Sequence, residues 1–111
     1  WLRSVRQAEH VTSIGAHAFS DCVALRSVEL SAKLQQIGAH AFENCTSLES
    51  IQIPEGVEEI PERAFYRCHM LKQITLPSSL KKIGEEAFAF CGASQIQVPE
   101  GVLIGERGLY T

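Results

Sequence analysis

Apolar residues recur along this chain at a fixed step of 23 residues: Cys22, Cys45, Cys68 and Cys91; Phe19, Phe42, Phe65 and Phe88; Ile14, Ile37, Ile60 and Ile83. Between these markers the pattern has two halves. The first alternates apolar with polar residues, as in Ser50-Ile51-Gln52-Ile53, and predicts a short strand with one buried face. Pro54, Pro77 and Pro99 follow it, where a missing N–H ends the ladder. Glu55-Gly56 and Glu100-Gly101 then predict turns, and a second brief extended stretch follows at sites such as Glu59-Ile60. The other half opens with Gly38, Pro61 or Gly84 and runs into Ala-Phe-x-x-Cys. It predicts one or two helical turns, because Pro61 and Glu62 suit a helix start through fixed φ and favourable charge.

A strict period of this length marks a solenoid, in which no unit can bury its apolar face alone and each must stack on its neighbours. Full repeats span about 25–47, 48–70 and 71–92, with an incomplete unit before them and a worn one after, so residues 1–111 read as one domain that begins and ends mid-unit. The register slips at Cys91-Gly92-Ala93, and a second deletion leaves Ile104-Gly105-Glu106-Arg107-Gly108-Leu109 as a worn copy of the preceding unit. Strands recurring with a helical return are parallel, since each coil re-enters in the same direction, and the expected hand is right. The predicted fold is an α/β repeat solenoid of roughly five coils, its interior made of stacked Leu, Ile, Phe, Ala and Cys columns.

Alternation directs Leu25, Val28 and Leu30 inward and leaves Ser27 and Glu29 outward, with Arg26 at the strand's start. The equivalent stripe is Arg3, Ser4, Arg6; then Glu49, Ser50, Gln52; then Lys72, Gln73, Thr75; then Ser94, Gln95, Gln97. This face mixes signs and lacks the Trp, Tyr and Arg clustering of binding hot spots. Its variation from rung to rung, against a constant interior, fits a surface free to suit a partner, and fits an idle surface equally. The candidate partner-binding residues are Arg3, Arg6, Arg26, Glu29, Glu49, Gln52, Lys72, Thr75, Gln95 and Gln97.

Other chemistry is sparse. Cysteines on rungs about 5 Å apart form a line, whereas a tetrahedral zinc site needs four sulfurs near one ion. Disulfides between adjacent rungs are compatible with the Cα spacing, but stacked side chains point the same way rather than at each other. The third reading is small buried apolar residues. A nucleophilic thiol would need a neighbouring base, and these thiols follow phenylalanine in the most apolar part of each unit. His17 and His40 share a column that continues as Arg63 and Glu86, which places it on an exposed face; His69 has Val23, Thr46 and Gly92 as counterparts and shares no chemistry with them. Glu58-Glu59 lies one step from Lys81-Lys82, a pairing of opposite charges that fixes register. No phosphate-cradling glycine loop is present. The reading therefore has no catalytic, cofactor or metal residues.

Bulk properties narrow the partners. A net charge of −3 and a pI of about 5.8 argue against nucleic acid. No apolar run approaches the roughly 20 residues of a membrane span. The start at Trp1, with no charged-then-apolar leader, is expected of a mature or excised piece.

The shared unit, L-x-x-[IV]-x-[IL]-P-x-x-[LV]-x-x-I-G-x-x-A-F-x-x-C, resembles the BspA-like, or Treponema-type, class of leucine-rich repeats. The match covers roughly residues 2 to 102, with Ser31 for proline, Pro61 for glycine and Ala93 for leucine as departures. The resemblance implies a curved superhelix with a parallel sheet on its concave side. It also implies secreted or cell-surface proteins engaged in adhesion or host contact. On that basis the expected function is a non-enzymatic protein–protein interaction module binding through the concave sheet face. The alternative is a structural segment of a larger repeat array or multi-subunit assembly, joined by self-association of open solenoid ends.

Overall fold

The computed structural model describes residues 2–109. Trp1, on which the expectation of an excised piece rests, and Tyr110 and Thr111 lie outside the described residues. Two ladders of short parallel strands run along the stack. The first holds β1 (Ser4–Arg6), β3 (Ser27–Glu29), β5 (Ser50–Gln52) and β7 (Gln73–Thr75). The second holds β2 (Ser13–Ile14), β4 (Gln36–Ile37), β6 (Glu59–Ile60), β8 (Lys82–Ile83) and β9 (Leu103–Ile104). Register follows the repeat: Val5 lies beside Val28, Ile51 beside Ile74 and Ile60 beside Ile83. At the worn end Ile83 lies beside Ile104, so the coil there has absorbed both deletions.

The result is a parallel-strand solenoid of about four turns rather than the roughly five coils expected. The shortfall sits where the register slips. Residues 94–98 keep the alternation, with Gln95 and Gln97 exposed and Ile96 and Val98 half-buried, but form no strand. Losing one residue at Cys91-Gly92-Ala93 displaces these amides from the carbonyls of β7, so burial survives where the ladder does not.

Inside, like residues lie over like. Phe42, Phe65 and Phe88 are wholly buried, and successive rings from Phe19 onward stack at centroid distances of 5.2, 5.1 and 5.2 Å. The rings of the last pair are parallel within 0°. Aromatic pairs left to themselves favour offset or edge-on packing; here the strand spacing of about 4.8 Å sets the arrangement. Removing one such ring, as in Phe65→Ala, deletes contacts to the coils above and below and costs about 3–5 kcal/mol.

The expected helical turns are absent: no helix forms among the described residues. Each unit instead returns through a chain of four-residue turns. In the first, Ala18 N–H donates to Gly15 O, Ser20 to His17 O and Cys22 to Phe19 O, at 3.1–3.2 Å. The amides between these, His17, Phe19 and Asp21, donate to Ala39, Ala41 and Glu43 of the next coil at 2.8–3.0 Å. A helix would consume every amide within its own segment. Here half of them bind the neighbouring coil, and the chain accommodates this by taking positive φ at two points per unit, including His17, His40, Arg63 and Glu86, then Asp21, Asn44, Arg67 and Phe90. Inter-coil bonding outweighs the local helix signals of Pro61 and Glu62.

Candidate functional site

Three-residue strands with a single inward side chain present their flanking residues to solvent. Ser4 and Arg6, Ser27 and Glu29, Ser50 and Gln52, and Gln73 and Thr75 therefore face outward along the first ladder, while Val5, Val28, Ile51 and Ile74 face in. Arg6 ends β1 opposite Glu29, with its Nε 3.0 Å from the Glu29 carboxylate. Arg26 precedes β3 and donates from Nη2 to Glu49 Oε2 at 2.9 Å. Gln52 and Thr75 lie side by side in β5 and β7. Arg3 and Lys72 are exposed at the strand starts, where Arg3 O accepts the Arg26 amide and Lys72 N–H donates to Glu49 O. Gln95 and Gln97 are exposed too, on the segment that forms no strand. The geometry thus joins four of the expected residues in ion pairs along the stack, sets Gln52 beside Thr75, and leaves Gln95 and Gln97 off the ladder.

Both ladders are interrupted at one seam. β1 pairs β3 and β5 pairs β7, but β3 and β5 do not pair; β4 and β6 are likewise unpaired. Between the segments leading into β3 and β5 a bond persists from Glu49 N–H to Arg26 O at 3.1 Å. On the turn side the same two coils stay joined, with Phe42 N–H donating to Ala64 O and Asn44 to Tyr66 O, each at 2.8 Å. Two grooves open along the seam. One, of about 350 Å³, is bordered by Glu29, Leu30, Ser50 and Gln52. The other, of about 800 Å³, lies across the second ladder between Gln36, Gly38, Glu58 and Pro61. One departure from the repeat marks this seam: Gly38 and Gly84 donate their amides to Ile14 O and Ile60 O at 2.7 Å, whereas Pro61, at the equivalent position, has no N–H to offer Ile37.

Other expected features fall into place or shift. Lys81 Nζ lies 3.6 Å from Glu58, and Glu59 is in register with Lys82, as the charge pattern predicts. All four cysteines are free thiols. Cys45, Cys68 and Cys91 each donate from Sγ to the carbonyl of the phenylalanine one coil back, Phe19, Phe42 and Phe65, at 3.1, 3.1 and 3.2 Å. Burial pushes the Cys45 and Cys91 thiols up to about 12 and raises that of Cys68 further, so these groups stay protonated and unreactive. The histidine column is exposed only at its start. Its later member Glu86 is 7% exposed, accepting from Arg63 Nε at 3.0 Å and Nη2 at 2.9 Å, with Arg107 Nε 3.7 Å away. That hydrogen bond raises the Arg63 guanidinium above its usual range.

Among the described residues no helix is long and apolar enough to cross a membrane. A sequence profile of the BspA-type leucine-rich repeat region matches residues 2–109 in six copies. Among solved structures, a leucine-rich repeat protein from Bacteroides ovatus is 39% identical over 93% of this chain and 30% of its own, with a TM-score of 0.90. The leucine-rich repeat protein of T. pallidum is 31% identical over 98% of this chain and 54% of its own, with a TM-score of 0.92. A leucine-rich cell surface protein from Faecalibacterium prausnitzii is 30% identical over 94% of this chain and 35% of its own, with a TM-score of 0.66. The chain thus spans between about a third and a half of the length of these proteins. No curated protein gives a significant match.

Proposed function

The chain belongs to the BspA-type leucine-rich repeat family, and from that premise we propose that it is a non-enzymatic protein-interaction module whose partner lies across the outward face of the first ladder. The observation that carries this reading is the contrast between an apolar interior repeated from coil to coil and an exposed stripe whose charges vary along the stack. Short parallel strands hold Arg6 beside Glu29 and Gln52 beside Thr75. A partner spanning several rungs therefore meets a preorganised surface and loses little of its binding energy to ordering it. The groove beside Glu29 and Gln52 gives that face relief for an anchoring side chain. A position at the cell surface is part of the same proposal, supported by the similar protein from Faecalibacterium prausnitzii described as a cell surface protein.

The test is a combined Arg26→Ala, Glu49→Ala and Lys72→Ala variant. Removing Arg26 and Glu49 together leaves neither charge of the pair orphaned. Binding of a cognate protein partner should weaken at least tenfold while the melting temperature stays unchanged. Undiminished binding would place the interaction elsewhere. A second reading, a structural segment that stacks against further coils or another chain, is favoured by the exposure of β9, where Leu103 is 72% and Ile104 48% exposed.

A further inference from the structure

The turn column that begins with His17 and His40 gathers a donor set that the interaction reading does not use. His17 and His40 have φ of 59° and 60°, so the two turns share one backbone shape. Their rings stack at 4.6 Å with 11° between planes. Glu43, three residues after His40, brings Oε1 to 3.3 Å from His40 Nδ1. One donor atom from each of His17, His40 and Glu43 lies within 4.8 Å of the other two. We propose that His17, His40 and Glu43 form a binding site for a divalent transition-metal ion of the Zn²⁺ class.

Several independent features converge on this assignment. Two imidazole nitrogens and one carboxylate oxygen are a ligand set that Zn²⁺ accepts with a fourth position left to water. His40 Nδ1 is buried and makes no hydrogen bond despite its proximity to Glu43, a condition that costs free energy until a partner is supplied. Its 3.3 Å separation from Glu43 Oε1 matches the span of about 3.3 Å between two ligands bonded at about 2.0–2.1 Å in tetrahedral geometry. Behind the ring, His40 Nε2 faces Glu62 Oε2 at 3.9 Å. With an ion on Nδ1 the ring carries its proton on Nε2, which then points toward this carboxylate.

His17 supplies the remaining ligand by moving. Imidazole lone pairs lie in the ring plane, so two parallel stacked rings cannot both point at one ion. The His17 side chain is exposed and can tilt out of the stack, closing the 4.8 Å spread to bonding range.

Titration calorimetry with Zn²⁺ at pH 7.5 tests the site, together with absorption of the Co²⁺ form. One Zn²⁺ per chain is expected. Its dissociation constant should rise at least tenfold in His17→Asn, His40→Asn and Glu43→Gln, asparagine being chosen because it tolerates positive φ. A His10→Ala, His69→Ala double variant, at exposed histidines outside the cluster, should bind within twofold of the parent. The Co²⁺ form should show ligand-field bands without sulfur-to-cobalt charge transfer. Absence of stoichiometric binding, binding that survives both His17→Asn and Glu43→Gln, or a thiolate charge-transfer band would each overturn the assignment. His17 and Glu43 lie outside the core, so the test stands even where His40→Asn lowers stability.

Discussion

A cysteine at every twenty-third position reads as a small apolar filler, and burial agrees with that. The thiol also closes a polar account, because each of Cys45, Cys68 and Cys91 bonds to a phenylalanine carbonyl one coil back. Spacing alone placed the column, whereas the donor role depended on which backbone oxygen lies beneath it. The consequence is a pH dependence with a definite sign. A thiol raised in the folded state keeps its proton there while the unfolded chain loses it, so the stabilisation is complete below the ordinary thiol range near about 8.5. It declines as the pH rises toward about 12, the value reached by Cys45 and Cys91. Unfolding free energy should therefore fall across that window by on the order of 1 kcal/mol per pH unit per buried thiol. Denaturant melts of parent and Cys45→Ala between pH 8 and pH 11 should show a shallower fall in the variant, and equal slopes would contradict it. Ser31 shows the same limit of sequence reading. Where the repeat favours proline, its amide donates to Gln7 Oε1 at 2.9 Å and its hydroxyl to Glu9 O at 3.1 Å, so a buried polar residue is fully partnered by the coil below.

At the scale of the element, the strands were legible because their alternation is a direct image of one buried and one exposed face. The return segments were misread because Gly-x-x-Ala-Phe-x-x-Cys carries helix-compatible residues at helix-compatible spacing. What decided their shape was the neighbouring coil. Gly38 packs its Cα so closely that a Cβ would collide with the backbone of Gly15 and Ala16, and at Gly84 a Cβ would come within 2.6 Å of Glu62 N. The glycine column thus serves close approach between coils. Gly15 provides an internal control, since a Cβ there would meet nothing within 4 Å. Gly38→Ala should destabilise by about 1–3 kcal/mol through overpacking, and Gly15→Ala should leave the chemical melting midpoint unchanged or slightly raised. Equal effects at the two positions would show that the close approach is not what selects glycine.

At the scale of the whole molecule, the stack distributes its bonding unevenly. The turn side is joined continuously from coil to coil, while both ladders break at the seam between β3 and β5 and between β4 and β6. Of the expected face, Arg6 with Glu29 and Arg26 with Glu49 emerge as mutually paired residues. These pairs are solvent-exposed and add little to stability; they set the charge pattern a partner would meet. The other feature at this scale is β9, bonded to β8 on one side and exposing Leu103 and Ile104. An apolar strand edge is a template for pairing. Should it be an assembly surface, the solution mass will exceed 12.2 kDa at high concentration and return to it in Leu103→Lys. A monomer at all concentrations would exclude the assembly reading and leave the binding-module reading intact.

The sequence by itself determined the period, the parallel order of the strands, the stacked apolar columns and the identity of the outward stripe. All of these follow from one unit that must bury its apolar face against a copy of itself. Only the tertiary structure decided that the return segments are turns rather than helix, that thiols serve as donors, that the ladders part at one seam, and that His17, His40 and Glu43 converge. Each of these depends on which atoms of one coil lie over those of the next, and a pattern read along a single chain carries no record of that distance.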